Sequence, residues 1–87
     1  MFMYIEPMSD LIARISTDVR RERKRLRLTQ QQLADLAGVS VGFLQSLEAG
    51  KPTLHLEKVI RVVETVGLRL VVQPRDESIH EDFSAES

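Results

Sequence analysis

Two helix-start signals stand eleven residues apart in the middle of the chain, and this spacing constrains the fold more than any other feature. Thr29 and Gln32 are spaced as a capping box, in which each side chain can bond the backbone N–H of the other. Ser40 offers a second N-cap, and Gly38 can end the first helix in a left-handed conformation. Gly50 can end the second helix in the same way. The sequence therefore predicts two short helices separated by residues 38–40.

A connection this short forces a sharp turn between the two helices, which is the helix-turn-helix supersecondary unit. Such a unit lays its second helix in the major groove of DNA, whose width admits an α-helix. The first helix of the pair crosses the phosphate backbone and fixes the register. The pattern thus favours double-stranded DNA as the partner.

The flanking segments predict a mainly α fold of about four helices with one C-terminal β-strand. Apolar residues at helical spacing indicate a first helix over about 9–26 and a fourth over about 55–66. Alternating apolar residues over 68–73, several of them β-branched, indicate a strand. The side chains expected in the core are Leu11, Ile12, Ile15, Val19, Leu26, Leu33, Ala34, Leu36, Ala37, Leu44, Leu47, Leu56, Val59, Ile60, Val63 and Val66.

The chain has the length of one small domain, which we expect over 9–73, between an N-terminal extension at 1–8 and a tail at 74–87. Charge divides near the same place. Residues 1–75 hold all 12 Lys and Arg against 8 Asp and Glu, a net charge of +4, whereas residues 76–87 hold five acids and no Lys or Arg. Because the tail is polar and acidic, we expect it to be disordered.

A group of basic residues lies within one eight-residue window near the end of the first predicted helix: Arg20, Arg21, Arg23, Lys24, Arg25 and Arg27. Such clustering is the electrostatic footprint of a protein that binds a polyanion. A basic run taken alone is more often a solvated helix face. Together with Gln30, the cluster favours DNA over a purely protein-binding role.

Three motifs in register resemble the Xre/Cro family of λ-repressor-like helix-turn-helix proteins. The motifs are Leu28-Thr-Gln-Gln-Gln-Leu-Ala34, Ala37-Gly-Val-Ser40 and Leu44-Gln-Ser-Leu-Glu-Ala-Gly-Lys51. The match runs from about Val19 to Gly67. A fourth helix that leads straight into the segment 68–73 is similar to the HipB-type antitoxin branch, and the chain length and polar tail agree with that branch.

The resemblance implies contacts with DNA for each matching residue. Gln30 matches a phosphate-clamping position at the first turn of the second helix, and Lys51 matches another phosphate contact. Gln45 matches a base-reading position, where glutamine can bond bidentately to adenine. The complete set of expected DNA-binding residues is Gln30, Gln31, Ser40, Val41, Gly42, Gln45, Ser46 and Lys51.

Neighbouring positions are expected to support these contacts. Val41 suits packing on a thymine methyl, and Gly42 permits close approach to DNA. Phe43 is expected in the core. Arg23 and Glu48 match a family pair that ties the first helix to the third, so we expect a structural role for both.

Two residues depart from the family pattern. Arg27 stands where the family usually has glycine, and a left-handed arginine costs up to about 1–2 kcal/mol, part of which a phosphate contact could recover. His55 stands where the family usually caps the fourth helix with serine or threonine, which leaves Thr53 as the alternative cap.

The resemblance implies a sequence-specific transcriptional repressor, and the lone predicted strand at 68–73 implies that it binds a palindromic operator as a homodimer. The narrower interpretation is a HipB-like antitoxin that represses its own operon and neutralises a HipA-type kinase toxin. Two alternatives stay open: a repressor without a toxin, and a protein-interaction adaptor, which the nearly featureless Val41 and Gly42 slightly favour. Dimers are expected through the 68–73 strand, paired with its copy in a second chain, with residues 2–5 of its own chain, or with both.

Other classes of protein find little support in the sequence. The absence of cysteine excludes disulfides and thiolate metal sites, and His55 and His80 do not have the spacing of a metal site. Without a Gly-rich phosphate loop or a nucleophile elbow, we expect no enzymatic activity and no cofactor. The apolar runs are too short to span a bilayer, and the first residues lack a signal-peptide pattern. We therefore expect a cytoplasmic protein with no membrane partner.

Overall fold

A computed structural model describes residues 8–52 and 55–74, and this part of the chain forms four α-helices. Their bounds are Met8–Arg25 for α1, Gln30–Ala37 for α2, Val41–Glu48 for α3 and Leu56–Thr65 for α4. The first and fourth helices differ from the sequence prediction by one residue at each end. The predicted mainly α, helix-turn-helix architecture is therefore confirmed.

The α2–α3 pair forms because its helix starts and its turn are satisfied locally. The Thr29 hydroxyl accepts the backbone N–H of Gln32 at 3.0 Å, and the Thr29 backbone N–H donates to Gln32 Oε1 at 2.8 Å. Gly38 ends α2 at φ 74°. Ser40 Oγ accepts the backbone N–H of Phe43 at 3.0 Å and so starts α3. The capping box, the left-handed stop and the second cap are all present as predicted.

One apolar core holds the helices together. Helix α3 packs against α1 and α2, and α4 packs against α2. The largest fully buried side chains come from every helix and from the residue that follows α4: Val19, Leu33, Leu44, Leu47, Val62 and Val66. Each such side chain contributes about 1.5–3 kcal/mol on burial. The core therefore fixes α3 against the rest of the molecule.

Four leucines expected in the core are exposed by about two fifths of their surface or more: Leu11, Leu26, Leu36 and Leu56. Leu36 follows the buried Ala34 by two residues, which is about 200° of helix rotation, so it lies on the opposite face of α2. Leu26 lies beyond the last residue of α1, and Leu56 is the first residue of α4. In α4, Val62 is buried although it was not among the side chains predicted for the core.

After α4, residues 68–74 form neither a helix nor a ladder with any other described residue. Leu68 and Leu70 are half-buried against the core, whereas Arg69 and Val71 are exposed. The side chains of 68–71 therefore alternate as they do in a strand, whereas Val72, which the alternation places on the face of Leu68 and Leu70, is fully exposed. Because a β-ladder needs a second strand, the predicted strand and its pairing stay predictions.

Several expectations fall on residues outside the described part of the chain. These are the N-terminal pairing segment at 2–5, the alternative cap Thr53 and the tail at 75–87. Among the helices that are described, none is long and apolar enough to cross a membrane.

Candidate DNA-binding interface

Helix α3 presents an uncharged polar face to solvent. The exposed or half-buried residues at its start and along its outer side are Ser40, Val41, Gly42, Gln45 and Ser46. Positions 41, 42, 45 and 46 span about 140° of helix rotation, so they lie on one face. The charged side chain of α3, Glu48, is buried, with 4% of its surface exposed. The structure thus brings the predicted base-reading residues together on a neutral surface.

The residues of this face differ in how much of the side chain is available to a ligand. The Ser40 hydroxyl accepts the capping N–H of Phe43, and Val41 is half-buried against the core. Gly42 is exposed but has no side chain. Gln45 is exposed and therefore offers the largest hydrogen-bonding group on the α3 face.

The start of α2 lies beside Gln45. Gln45 Nε2 donates to Gln30 Oε1 across the two helices at 3.4 Å. Gln31 is exposed, and its Nε2 donates to Asp35 Oδ1 at 2.9 Å. Backbone N–H groups at a helix start attract phosphate. The predicted phosphate clamp and the predicted base reader are therefore in direct contact.

A buried ion pair underlies these residues. Arg23 Nε and Nη2 donate to the two carboxylate oxygens of Glu48 at 2.7 and 3.0 Å, and Arg23 Nη1 donates to the Leu28 carbonyl at 2.9 Å. Arg20 Nη1 donates to the backbone carbonyl of Glu48 at 2.7 Å. Helix α1 is thereby bonded to the end of α3 and to the residue before the α2 cap. The structural role predicted for the Arg23–Glu48 pair is confirmed.

This ion pair is also linked to Gln30 and Gln45, a connection that was not predicted from the sequence. Glu48 Oε1 also accepts a hydrogen bond from Gln30 Nε2 at 3.1 Å. Arg23, Glu48, Gln30 and Gln45 therefore form one hydrogen-bond chain that leads from the core to the α3 face. The available signal was the three-residue spacing of Gln45 and Glu48, which puts both on the same side of α3.

Much of the basic cluster at the end of α1 is engaged within the protein. Besides the bonds of Arg20 and Arg23 to α3, Arg21 pairs with Asp18 at 3.0 Å and Arg25 pairs with Glu22 at 2.6 Å. Hydrogen bonds from Arg25 and Arg21 hold the pKa of the Glu22 carboxyl below its ordinary value. The polyanion footprint expected from the whole cluster is therefore smaller than the sequence suggested.

Three exposed cations remain around the helix pair. Lys24 and Arg27 pair with no carboxylate among the described residues, and Lys51 follows α3 on the surface. Arg27 lies two residues before the α2 cap and adopts φ 62°, the left-handed conformation expected from the family pattern. These cations flank α2 and α3 in sequence.

Phe43 connects α3 to the start of α4. The ring is half-buried against the core, as expected, and the Lys58 ammonium lies 5.7 Å from its centroid. His55, the residue before α4, makes no capping hydrogen bond with its side chain. Its ring contacts Phe43 edge-on instead, at a centroid distance of 6.3 Å.

The surface built by α2 and α3 can be compared with known proteins. The family model described as helix-turn-helix, of Xre/Cro type, matches residues 19–72. The chain belongs to this helix-turn-helix family. The matched part contains α2, α3 and α4 in full, and with them every residue of the predicted DNA-binding set.

Two known proteins are similar to this chain, one in sequence and one in fold. The chain is 47% identical over 55 residues to the uncharacterized HTH-type transcriptional regulator y4mF of Sinorhizobium fredii, an alignment that covers 63% of this chain and 72% of that protein. Its fold is similar to that of the restriction-modification controller protein C.AhdI from Aeromonas hydrophila. The TM-score is 0.63 at 17% identity, over 74% of this chain and 93% of that one. At this identity the second likeness concerns the fold alone.

Proposed function

We propose that this protein is a sequence-specific repressor of transcription that inserts α3 into the major groove of its operator. The observation that carries the proposal is the neutral, exposed α3 face, with Gln45 held against Gln30 at the start of α2. In a helix-turn-helix unit, these are the places that meet base edges and phosphate. Family membership and the name of the 47% identical relative support the coarser function, a helix-turn-helix regulator of transcription.

Each residue of the interface has a proposed task. Gln45 reads an adenine, and Val41 packs on a thymine methyl. Gln30 and Lys51 bind phosphate. The remaining residues of the proposed interface are Gln31, Ser40, Gly42 and Ser46.

The decisive experiment is a gel shift on the DNA upstream of the protein's own gene, followed by Kd measurements on the operator. Gln45→Ala should weaken operator binding by about 1–3 kcal/mol and binding to random DNA very little. The measurement on random DNA is the internal control, because a loss of folded protein or of phosphate binding would lower both affinities alike. Equal losses on operator and random DNA would exclude Gln45 as a base reader. Failure to bind any DNA would favour the adaptor alternative.

The proposal includes a homodimer that forms through residues 68–73. Residues 68–71 have the side-chain alternation of a strand, and the segment has no ladder partner among the described residues. Val71 and Val72 leave apolar surface exposed. Pairing with the same segment of a second copy would satisfy its backbone groups and cover its apolar surface. Two such domains would place their α3 helices about 34–36 Å apart, which requires a two-fold symmetric operator.

A narrower proposal is that the protein is a HipB-like antitoxin that neutralises a HipA-type kinase. Its support is the resemblance of the α4-to-68–73 region to that branch. A repressor without a toxin is the second candidate, and the regulator name of the 47% identical relative agrees with either one. The gene next to this one separates the two, because an antitoxin requires a toxin gene in the same operon.

A further inference from the structure

We infer that the buried Arg23–Glu48 pair sets the base preference of Gln45 by fixing the direction of its side-chain amide. Glu48 and Arg23 would then be positioning residues for the operator contact, although neither reaches DNA. The inference rests on the proposed function and specifies which base α3 selects.

The direction of the hydrogen-bond chain is imposed at its buried end. An ionised carboxylate only accepts hydrogen bonds, and Glu48, 4% exposed, is held by two bonds from Arg23. Gln30 must therefore turn its NH₂ group toward Glu48, at 3.1 Å. This leaves the Gln30 carbonyl oxygen facing Gln45.

The fixed orientation of the Gln30 amide in turn fixes the orientation of the Gln45 amide. Gln45 meets the Gln30 oxygen with its own Nε2, at 3.4 Å. A flipped Gln45 amide would bring two carbonyl oxygens together, neither of which can donate. Gln45 is thus left with one acceptor, its Oε1, and one remaining N–H to offer to a base.

One acceptor beside one donor matches adenine. In the major groove adenine shows the N6–H₂ donor next to the N7 acceptor, whereas guanine shows two acceptors, O6 and N7. Against guanine, the fixed Gln45 oxygen would face another oxygen. A glutamine released from Gln30 could instead turn its NH₂ group, which carries two donors, toward both acceptors of guanine. The buried pair therefore selects adenine over guanine at the base pair that Gln45 contacts.

The test measures base discrimination rather than affinity. Kd values are measured on the operator with each base pair changed in turn, and the Gln45 contact is the base pair whose discrimination is lost in Gln45→Ala. At that base pair, Gln30→Met should reduce the preference for adenine over guanine by about threefold or more. The variant keeps the Arg23–Glu48 pair, so the fold should persist. Any loss of a phosphate contact weakens binding to all sequences alike and cancels in the ratio.

The control is Gln32→Met, the same change elsewhere in the first turn of α2, at a residue outside the proposed interface whose side chain accepts the Thr29 backbone N–H. It should leave the ratio unchanged. Glu48→Gln is a second variant, because an amide at position 48 can present either an oxygen or an NH₂ group to Gln30. Under conditions in which this variant is folded, its preference for adenine over guanine should fall. An unchanged preference for adenine over guanine in Gln30→Met would overturn this inference and leave the proposed function standing. Absence of any base pair that depends on Gln45 would overturn the proposed function with it.

Discussion

Arg27 holds a backbone conformation that L side chains rarely adopt, at φ 62°. It follows the end of α1, where the Leu28 backbone N–H donates to the Arg23 carbonyl at 3.1 Å and closes the helix. Glycine would take this conformation without strain. An arginine at this position therefore lowers the stability of the fold. Its side chain is exposed, two residues before the N-cap of α2.

Arg27→Gly should raise the free energy of unfolding by about 1 kcal/mol, because the left-handed strain is removed. The same change should weaken binding to operator and random DNA alike, since it removes a cation beside the phosphate-binding start of α2. Urea denaturation and Kd measurements check the two effects. Arg27→Lys, which keeps both the strain and the charge, should change neither. A glycine variant no more stable than the wild type would contradict the strain argument.

Gly42 is the exposed glycine of α3, and the described residues around it leave room for a side chain. A Cβ at this position would meet Ser40 Oγ at 4.0 Å, an ordinary contact. Gly42→Ala should therefore stabilise the fold by about 0.5–1 kcal/mol, the usual helix penalty of glycine. It should also weaken operator binding, because the methyl group adds bulk to the face that meets the bases. Unchanged operator affinity, alongside a raised Tm, would show that this part of α3 does not approach DNA closely.

All four helices end in the same way. In each, a backbone N–H beyond the helix donates to the carbonyl five residues earlier: Leu28 to Arg23, Val39 to Ala34, Lys51 to Ser46 and Leu68 to Val63. The residue before each donor has a positive φ, and apart from Arg27 it is glycine. These stops explain how α2 and α3 can be only eight residues long and still be sharply bounded.

Local signals of this kind are why the sequence predicted the helix bounds to within a residue. Caps and glycine stops act over a few positions, and Thr29, Gly38 and Ser40 suffice to define the turn. The exposure of Leu36 could not be predicted in the same way, because it depends on how α2 is rotated against the core. The Gln30–Glu48 bond joins residues 18 apart in the chain, so it follows from the packing of α2 on α3.

The Arg23–Glu48 pair should be the most sensitive contact between the helices. Glu48→Ala leaves the Arg23 guanidinium, 12% exposed, without its anion, and the expected loss is about 3–5 kcal/mol of unfolding free energy. The double variant Arg23→Met with Glu48→Leu should lose much less, because no charge is left buried and unpaired. Urea denaturation of the three proteins measures both losses. A cost below about 1 kcal/mol for Glu48→Ala would mean that the pair behaves as a surface salt bridge.

At the scale of the whole molecule, the segment 68–73 should link dimerisation to DNA binding. Val71→Pro removes a backbone N–H and should weaken both the dimer and operator binding. Val71→Thr keeps the N–H and the β-branched shape, so it is the matched control and should weaken neither. Light scattering at micromolar concentration and operator titrations check the pair. A wild-type monomer under these conditions would exclude the proposed dimer.

The acidic tail should have no part in binding DNA. Deleting residues 75–87 removes five carboxylates and one arginine, and we expect dimerisation and operator affinity to stay nearly unchanged. If the antitoxin proposal holds, the deletion should weaken capture of the HipA-type kinase, because Ile79 and Phe83 are spaced to contact a partner groove. Calorimetry of the full-length and shortened proteins with the neighbouring toxin decides this. Equal toxin affinities would remove the tail from the mechanism.

The neutrality of the α3 face has a consequence for how the protein searches a genome. Counterion release at phosphates governs how long a protein stays on chance sequences, and that dwell time shortens as ionic strength rises. Helix α3 brings no net charge to the groove, since its carboxylate is buried against Arg23. The preference for one sequence over another then rests on contacts that ions screen little. A rise in cellular salt would therefore shorten the time that the protein spends on each chance sequence, while the ratio of its affinities for operator and chance sequences stays unchanged.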